Sequence, residues 1–157
     1  RIAREVERDA SYRARVSLMA TPSDGATADA LASACAAIVD DLPIAGIIVF
    51  TGSGSTARRV ARERPSVPVL VLTPSLATAR RLALLWGAHP VRTRDIGSFE
   101  EMIAKGKRMA LRQHFGRAGS RLITLAGVPF GTPGATNLLH VVTLSGRELK
   151  SGGGHDE

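Results

Sequence analysis

Short apolar segments alternate with helix-length segments along most of this chain. Residues 44–50, 69–72 and 122–125 consist largely of isoleucine, leucine and valine, a composition typical of strands covered on both faces. The segments between them show helical periodicity over about 10–15 residues. Strands that alternate with helices in this way are joined by right-handed crossovers. The sequence therefore predicts an α/β fold, a three-layer sandwich in which helices cover both faces of a five-stranded, mostly parallel sheet.

Prolines, glycines and capping residues set the boundaries of the predicted elements. Pro43 and Pro65 follow the ends of two helices, and Gly87 closes a third. Ser98 and Glu101 fit the capping box S-x-x-E, in which the two side chains satisfy orphan amides reciprocally. The resulting prediction is strands at 44–50, 69–72, 89–91, 122–125 and 138–144, the last at an edge, and helices at about 26–40, 55–64, 75–86 and 98–114.

The two ends of the chain differ from its centre. Residues 1–15 place Ile2 and Val6 four residues apart among charges, which predicts a surface helix that continues from an upstream segment. Residues 145–157 are glycine-rich and lack apolar periodicity, which predicts a disordered tail. A chain of 157 residues that is 44% hydrophobic is long enough for one domain. We place that domain at 1–144.

Composition and charge indicate in which compartment the protein resides and which kinds of partner it binds. The longest apolar run, 44–50, is too short to cross a bilayer, and no secretory signal is recognisable, so we expect a cytoplasmic protein without membrane contact. Cys35, the single cysteine, lies among alanines and is expected to be a buried hydrophobe. The net charge of +7 comes mainly from scattered arginines, with one Trp and one Tyr. This pattern favours phosphorylated metabolites over nucleic acid as partners.

A segment rich in glycine and hydroxyl groups joins the first predicted strand to the following helix. Its glycines allow close approach to an anion and positive φ angles, and its hydroxyls can donate hydrogen bonds. The helix N-terminus adds amides and partial positive charge, and arginines follow within one turn. This chemistry suits a phosphate monoester. The candidate phosphate-binding residues are Thr51, Gly52, Ser53, Gly54, Ser55, Thr56 and Arg58.

Sharper interpretations of this segment can be tested by spacing. A Walker A loop requires a lysine that is missing here. A nucleophile elbow requires glycines two residues on either side of Ser53, where Thr51 and Ser55 stand. A flavodoxin-like loop for the phosphate of FMN fits the pattern T-x-S-G-x-T. A plain strand-to-helix turn with a cap remains the structural alternative.

A second glycine-rich segment, residues 127–137, follows the fourth predicted strand. In a doubly wound sheet, the loops after the first and fourth strands flank the same crevice, so both loops are expected to contact one ligand. The alternative is an ordinary connection stiffened by two prolines. The candidate loop residues are Gly131, Thr132, Pro133, Gly134 and Ala135.

No catalytic residue or metal site is predicted. The acidic pairs at 40–41 and 100–101 lie at helix ends, where carboxylates commonly act as solvated caps. The four histidines lack metal-ligand spacing and are expected to be structural or exposed.

Several blocks in the same order resemble the C-terminal α/β domain of pyruvate kinase. They read "IIVFTGSGSTARRVARERPSVPVLVLT", "TARRLALLWGAHPV" and "GVPFGTPGATNLLHV", with "IAREVE" near the start. The resemblance spans about residues 1–144 and implies a sheet whose last strand is antiparallel, a homotetramer and an allosteric effector site. In the family, the effector's phosphate is gripped by the loop that falls on 51–56 and covered by the loop that falls on 127–137.

The resemblance also implies what this chain lacks. The parent enzyme converts phosphoenolpyruvate and ADP to pyruvate and ATP in glycolysis, with Mg²⁺ and K⁺, on a separate TIM-barrel domain. The present domain is then a regulatory partner of that barrel, with no catalytic residue or cofactor of its own. The alternative is a stand-alone α/β module that binds FMN or another phosphorylated ligand.

One departure from the family bears on the effector. Relatives activated by fructose 1,6-bisphosphate hold its second phosphate with an aromatic residue and an arginine. Neither type stands at the corresponding positions around Asp95 and Met102. The resemblance therefore favours a monophosphate such as AMP, ribose 5-phosphate or glucose 6-phosphate.

Overall fold

The computed structural model describes residues 5–6, 9, 11–12, 26–132 and 135–145. Strands and helices alternate through this part of the chain until the last two strands, which follow each other directly. The strands are β1 (Ile44–Phe50), β2 (Val69–Thr73), β3 (Ala88–Arg92), β4 (Arg121–Gly127) and β5 (Thr136–Thr143), and the helices are α1 (Thr27–Asp41), α2 (Ser55–Arg62), α3 (Leu76–Leu82) and α4 (Phe99–Arg112).

The strands form one mixed sheet in the order β3-β2-β1-β4-β5. The strand β1 is central and pairs in parallel with both β2 and β4, with Ile47 opposite Val69 on one side and Ile123 on the other. The β2–β3 pair is also parallel, whereas β4 and β5 are antiparallel. The predicted α/β class, the five strands and the antiparallel last strand at an edge are confirmed.

Alternate residues of the central strands build two separate cores. One face of the sheet packs against α1, α2 and α3, and its strand residues include Ile47, Val49 and Val71. The opposite face packs against α4, whose Met102, Met109 and Ala110 are buried. Because β1, β2 and β4 are buried on both faces, they show apolar runs instead of alternation. The three-layer sandwich follows from this arrangement.

The third helix is shorter than predicted. We expected it to run to Trp86, but α3 ends at Leu82 and the chain continues through turns. The amide of Leu85 donates to the Leu82 carbonyl at 3.0 Å, and the Gly87 carbonyl accepts from the Val69 amide at 2.9 Å. The chain has to leave the helix early because β3 enters the sheet with Ala88 beside Val69.

Cys35 lies on the inner face of α1 with no exposed surface. Burial raises the pKa of its thiol to about 12, because the charged thiolate is poorly solvated there. The thiol is therefore protonated at neutral pH and unsuited to nucleophilic chemistry. The prediction of a buried, structural cysteine is confirmed.

The predictions for the two ends lie mostly outside the described residues. Residues 5–6 and 11–12 are helical and Asp9 between them is not, and the other residues of the predicted helix at 1–15 are not described. Of the predicted tail at 145–157, only Ser145 is described. In the part of the chain that the structure covers, no helix combines the length and apolar character needed to span a membrane.

Candidate functional site

A cleft of about 120 Å³ opens at the carboxyl ends of the parallel strands. It forms there because β1 and β4 are neighbours and the loops that leave them diverge to different elements. We call residues 51–54 the first loop, 128–135 the second loop and 93–96 the third segment. The cleft is lined by Phe50, Thr51, Gly52, Ser53, Thr56, Leu72, Pro74, Thr93, Arg94, Asp95, Ile96, Ala126, Gly127, Phe130, Gly131, Thr132, Ala135 and Thr136.

The first loop is folded on itself by its own hydroxyl groups. The Thr51 Oγ1 accepts a hydrogen bond from the Gly54 amide at 2.9 Å, and the Ser53 Oγ accepts from the Ser55 amide at 3.3 Å. The Gly52 carbonyl accepts from the Thr78 hydroxyl of α3 at 2.9 Å, which ties the loop to a second helix. The loop is therefore held in one shape by contacts within the domain.

Gly54 is the N-cap of α2 and has a left-handed backbone, with φ of 87°. A Cβ atom at this position would meet the Leu82 side chain at 3.1–3.3 Å. Glycine is needed here for two reasons, because other residues rarely adopt this φ angle and because the neighbouring helix leaves no room.

The N-terminus of α2 directly follows the first loop, and Thr56 in its first turn lines the cleft. The first amides of any helix have no acceptor within the helix. Among the described residues, hydrogen bonds engage the amides of Gly54, Ser55 and Arg58, but none is found for those of Thr56 and Ala57. Two amide donors at the positive end of a helix are a suitable partner for an anion.

The second loop is anchored at its base. The Asn137 side chain makes two hydrogen bonds to Val128, accepting from its amide at 2.8 Å and donating to its carbonyl. The buried hydroxyls of Thr136 and Thr56 lie 2.5 Å apart, so the base of the second loop is linked directly to the start of α2. Of the predicted loop residues, Gly131, Thr132 and Ala135 line the cleft, and Pro133 and Gly134 lie outside the described residues.

The third segment was not among the predicted binding residues, although the resemblance placed Asp95 near the position where relatives hold a second phosphate. It follows β3, two strands away from β1, and contributes Thr93, Arg94, Asp95 and Ile96 to the cleft. Arg94 is the one cationic residue among the described residues that line the cleft, and Asp95 is the one anionic residue. The signal that could have found it is topological, since the carboxyl ends of all parallel strands lie at one edge of the sheet.

Some predicted site residues lie elsewhere. Gly54 and Ser55 do not line the cleft, although both shape the first loop, and Arg58 is exposed on α2 outside the lining. Arg59 and Arg62 are bound to the buried carboxylate of Asp29 on α1, at 3.2 Å and 2.7 Å. Two of the arginines that follow the first loop therefore join two helices instead of facing the cleft.

Two of the histidines, His89 and His140, take part in side-chain contacts. The exposed His89 lies 3.0 Å from the side-chain oxygen of Gln113, and the exposed His140 ring packs edge-on against Phe99. No group of three or more His, Cys, Asp or Glu side chains that could hold a metal ion occurs in the described ranges.

The fold and the cleft together define an α/β domain whose candidate ligand site lies at the carboxyl edge of a mostly parallel sheet. The model of one family, described as "Pyruvate kinase, alpha/beta domain", matches residues 29–142. The chain belongs to this family.

Curated relatives agree with the family model. The chain is 43% identical over 141 residues to a pyruvate kinase of Methylorubrum extorquens, which covers 90% of this chain and 30% of the relative. It is 35% identical to a pyruvate kinase of Clostridium acetobutylicum over the same shares. A pyruvate kinase of Geobacillus stearothermophilus is 31% identical over 92% of this chain and 24% of the relative. The chain thus spans about a third or less of the length of these relatives.

Proposed function

We propose that this chain is the regulatory domain of a cytoplasmic pyruvate kinase and that the cleft binds the phosphate group of a small effector. The observation that carries the proposal is that Thr51, Ser53 and Thr56 all line the cleft at the N-terminus of α2, where no hydrogen bond is found among the described residues for the Thr56 amide. A phosphate monoester offers several acceptor oxygens and a negative charge, which these donors and the helix dipole match.

The size and charge of the cleft support a monophosphate. Ligand pockets for molecules of drug size usually enclose about 300–1,000 Å³, so a cleft of about 120 Å³ holds a phosphate group while the rest of the ligand extends outward. Arg94 provides one positive charge in the lining, and Asp95 provides a negative one beside it. A second phosphate near Asp95 would be repelled, which favours AMP or a sugar monophosphate over fructose 1,6-bisphosphate.

The regulatory role follows from linkage between sites. The relatives are pyruvate kinases of which this chain matches only a part, so the active site is assigned to a partner TIM-barrel domain, with its Mg²⁺ and K⁺. An effector that binds one quaternary state better shifts the enzyme toward that state. A coupling free energy of about 1–3 kcal/mol would change apparent substrate affinity about 5- to 150-fold.

An oligomer is part of the same proposal. The strand β5 lies at the edge of the sheet, and within the described residues its outer side pairs with no strand. Its Val141 is 38% exposed. An edge strand with unpaired backbone groups favours association with a second copy. Sedimentation of the protein with its barrel domain should give a tetramer, and a monomer at all concentrations would contradict this part.

The effector proposal is tested by thermal unfolding of the 157-residue chain with phosphorylated metabolites. AMP, ribose 5-phosphate and glucose 6-phosphate are compared with inorganic phosphate and fructose 1,6-bisphosphate, and adenosine and ribose serve as controls without phosphate. A ligand at 100 times its Kd adds about 2.7 kcal/mol to stability. At least one monophosphate should raise the Tm, whereas no shift, or an equal shift with adenosine, would contradict phosphate recognition. A yellow protein with flavin absorbance would instead support the FMN-binding alternative.

A further inference from the structure

Lys105 on α4 is an almost fully buried lysine beside the cleft. Its side chain is 6% exposed, although lysine is rarely buried unless it is paired. The Nζ atom donates to the carbonyl of Arg94 at 2.9 Å, to the carbonyl of Asp95 at 3.2 Å and to the Glu101 carboxylate at 3.3 Å. An ammonium group has three N–H donors, so these three acceptors use all of them.

Hydrogen bonds at the start of α4 also support the backbone next to the third segment. The Glu101 carboxylate also accepts from the Gly97 amide at 2.9 Å, and the Ser98 Oγ accepts from the Glu101 amide at 3.1 Å. Ser98 thus makes the hydrogen bond that the predicted capping box requires of it. The Glu101 side chain, however, accepts from the amide of Gly97 and not from that of Ser98. Ile96, the last residue of the third segment, is buried in the core that α4 covers. Side chains of α4 therefore fix the backbone that carries Arg94.

We propose that Lys105 is a positioning residue for phosphate binding in the cleft. It acts through Arg94, because it fixes the carbonyls of Arg94 and Asp95 and so sets where the arginine stands relative to the first loop. Lys105 does not bind the ligand itself, since its donors are already engaged. The inference rests on the proposed function, because it concerns how the same cleft recognises a phosphate group.

This role differs from that of an ordinary stabilising lysine. A lysine that only supported the fold would lower stability without a specific loss of affinity. A lysine that works through Arg94 should have little effect once Arg94 is absent. Coupling between the two positions is measured by a double-mutant cycle.

The test measures binding of inorganic phosphate and ribose 5-phosphate to the 157-residue chain by titration calorimetry. The variants are Lys105→Met, Arg94→Met and the double variant, with Lys105→Gln in reserve if the first fails to fold. Lys107→Met is the matched control, because it makes the same change two residues further along α4 at a position that does not line the cleft. Circular dichroism without ligand confirms that each variant is folded.

We expect Lys105→Met and Arg94→Met each to weaken ribose 5-phosphate binding about tenfold, a difference of about 1.4 kcal/mol. The double variant should be no weaker than Arg94→Met alone, and Lys107→Met should bind normally. If the unmodified chain binds phosphate and Lys105→Met binds equally well, or if the two losses add, the inference is wrong while the proposed function stands. If the unmodified chain binds neither ligand, both the inference and the proposed function are contradicted.

Discussion

The first loop follows β1, and the second loop joins β4 to its antiparallel neighbour β5 at the same edge of the sheet. The two loops are nevertheless held differently. The first loop has hydrogen bonds along its length, from Thr51 to Gly54 and from Gly52 to Thr78 of α3. The second loop is held at its base, where Asn137 binds Val128 and Thr136 contacts Thr56.

A ligand site has to hold the phosphate with donors in fixed positions and also accommodate the rest of the ligand. A preformed loop binds an anion without a large ordering cost, because its donors already point in fixed directions. In the second loop, the hydrogen bonds found among the described residues lie at its base, and Phe130 packs against the core. We therefore expect the first loop to dominate affinity for phosphate and the second loop to contribute less.

The largest effect is expected from removing the hydroxyls of the first loop. The double variant Thr51→Ala/Ser53→Ala removes two hydroxyls that line the cleft, and a hydrogen bond from a hydroxyl to a charged acceptor is worth about 1.5–3 kcal/mol. Monophosphate binding should weaken at least about 100-fold in calorimetry, and in the enzyme with its barrel domain effector activation should vanish while unactivated turnover persists. Ser33→Ala, which removes an exposed hydroxyl on α1, is the control. Loss of unactivated turnover would contradict a purely regulatory role.

The variant Thr56→Glu should also abolish effector activation, through charge repulsion. A carboxylate at the start of α2 would occupy the anion site and repel phosphate, so activation should again be lost.

The preformed shape of the first loop is tested by its two glycines. Gly54→Ala should cost about 1–3 kcal/mol of folding stability, because of its left-handed φ angle and its contact with Leu82. Gly52→Ala is the matched control, since a Cβ there meets nothing within 4 Å, and its stability should hardly change. Urea unfolding of both variants measures the difference. Equal costs would mean that this loop is not a preformed element.

The anchoring of the second loop is tested at Asn137. Asn137→Ala removes both hydrogen bonds to Val128 and should cost about 1 kcal/mol of stability, with faster hydrogen exchange at the Val128 amide. Affinity for ribose 5-phosphate should fall only about two- to fivefold, because in the proposed binding mode the phosphate is held by the first loop. A loss as large as that of the Thr51→Ala/Ser53→Ala variant would remove the distinction between the loops.

The smallest effect is expected in the third segment. Asp95→Asn keeps an oxygen to accept from the Ile96 amide but removes the negative charge from the cleft. Affinity for fructose 1,6-bisphosphate relative to ribose 5-phosphate should rise severalfold, on the order of 0.5–1 kcal/mol for an exposed charge. Competition between the two ligands in calorimetry measures this ratio. An unchanged ratio would show that Asp95 does not select against a second phosphate.

The features predicted from sequence are those that depend on local pattern. The strands at 44–50 and 69–72 were found because residues buried on both faces form continuous apolar runs. The first loop was found because a run of glycines and hydroxyl residues stands between a predicted strand and a predicted helix, where anions commonly bind. The meeting of the two loops followed from the rule for doubly wound sheets, which places the ends of β1 and β4 at one crevice.

The features that were missed depend on packing between distant elements. Nothing near Arg94 marks it as a site residue, because β3 is short, half exposed and followed by no glycine-rich pattern. The burial of Lys105 arises from the way α4 lies beside the third segment. Sequence could not tell which of Arg58, Arg59 and Arg62 faces solvent, because the answer depends on Asp29 of another helix.

The open space around Gly52 has an evolutionary consequence. In a packed domain most positions near a ligand also support the fold, so a mutation that changes specificity usually carries a stability cost. Gly52 lines the cleft, yet a side chain added there meets no neighbour. If the cleft binds the proposed effector, mutation at this single position can therefore alter which metabolite a lineage senses without first requiring compensating changes elsewhere.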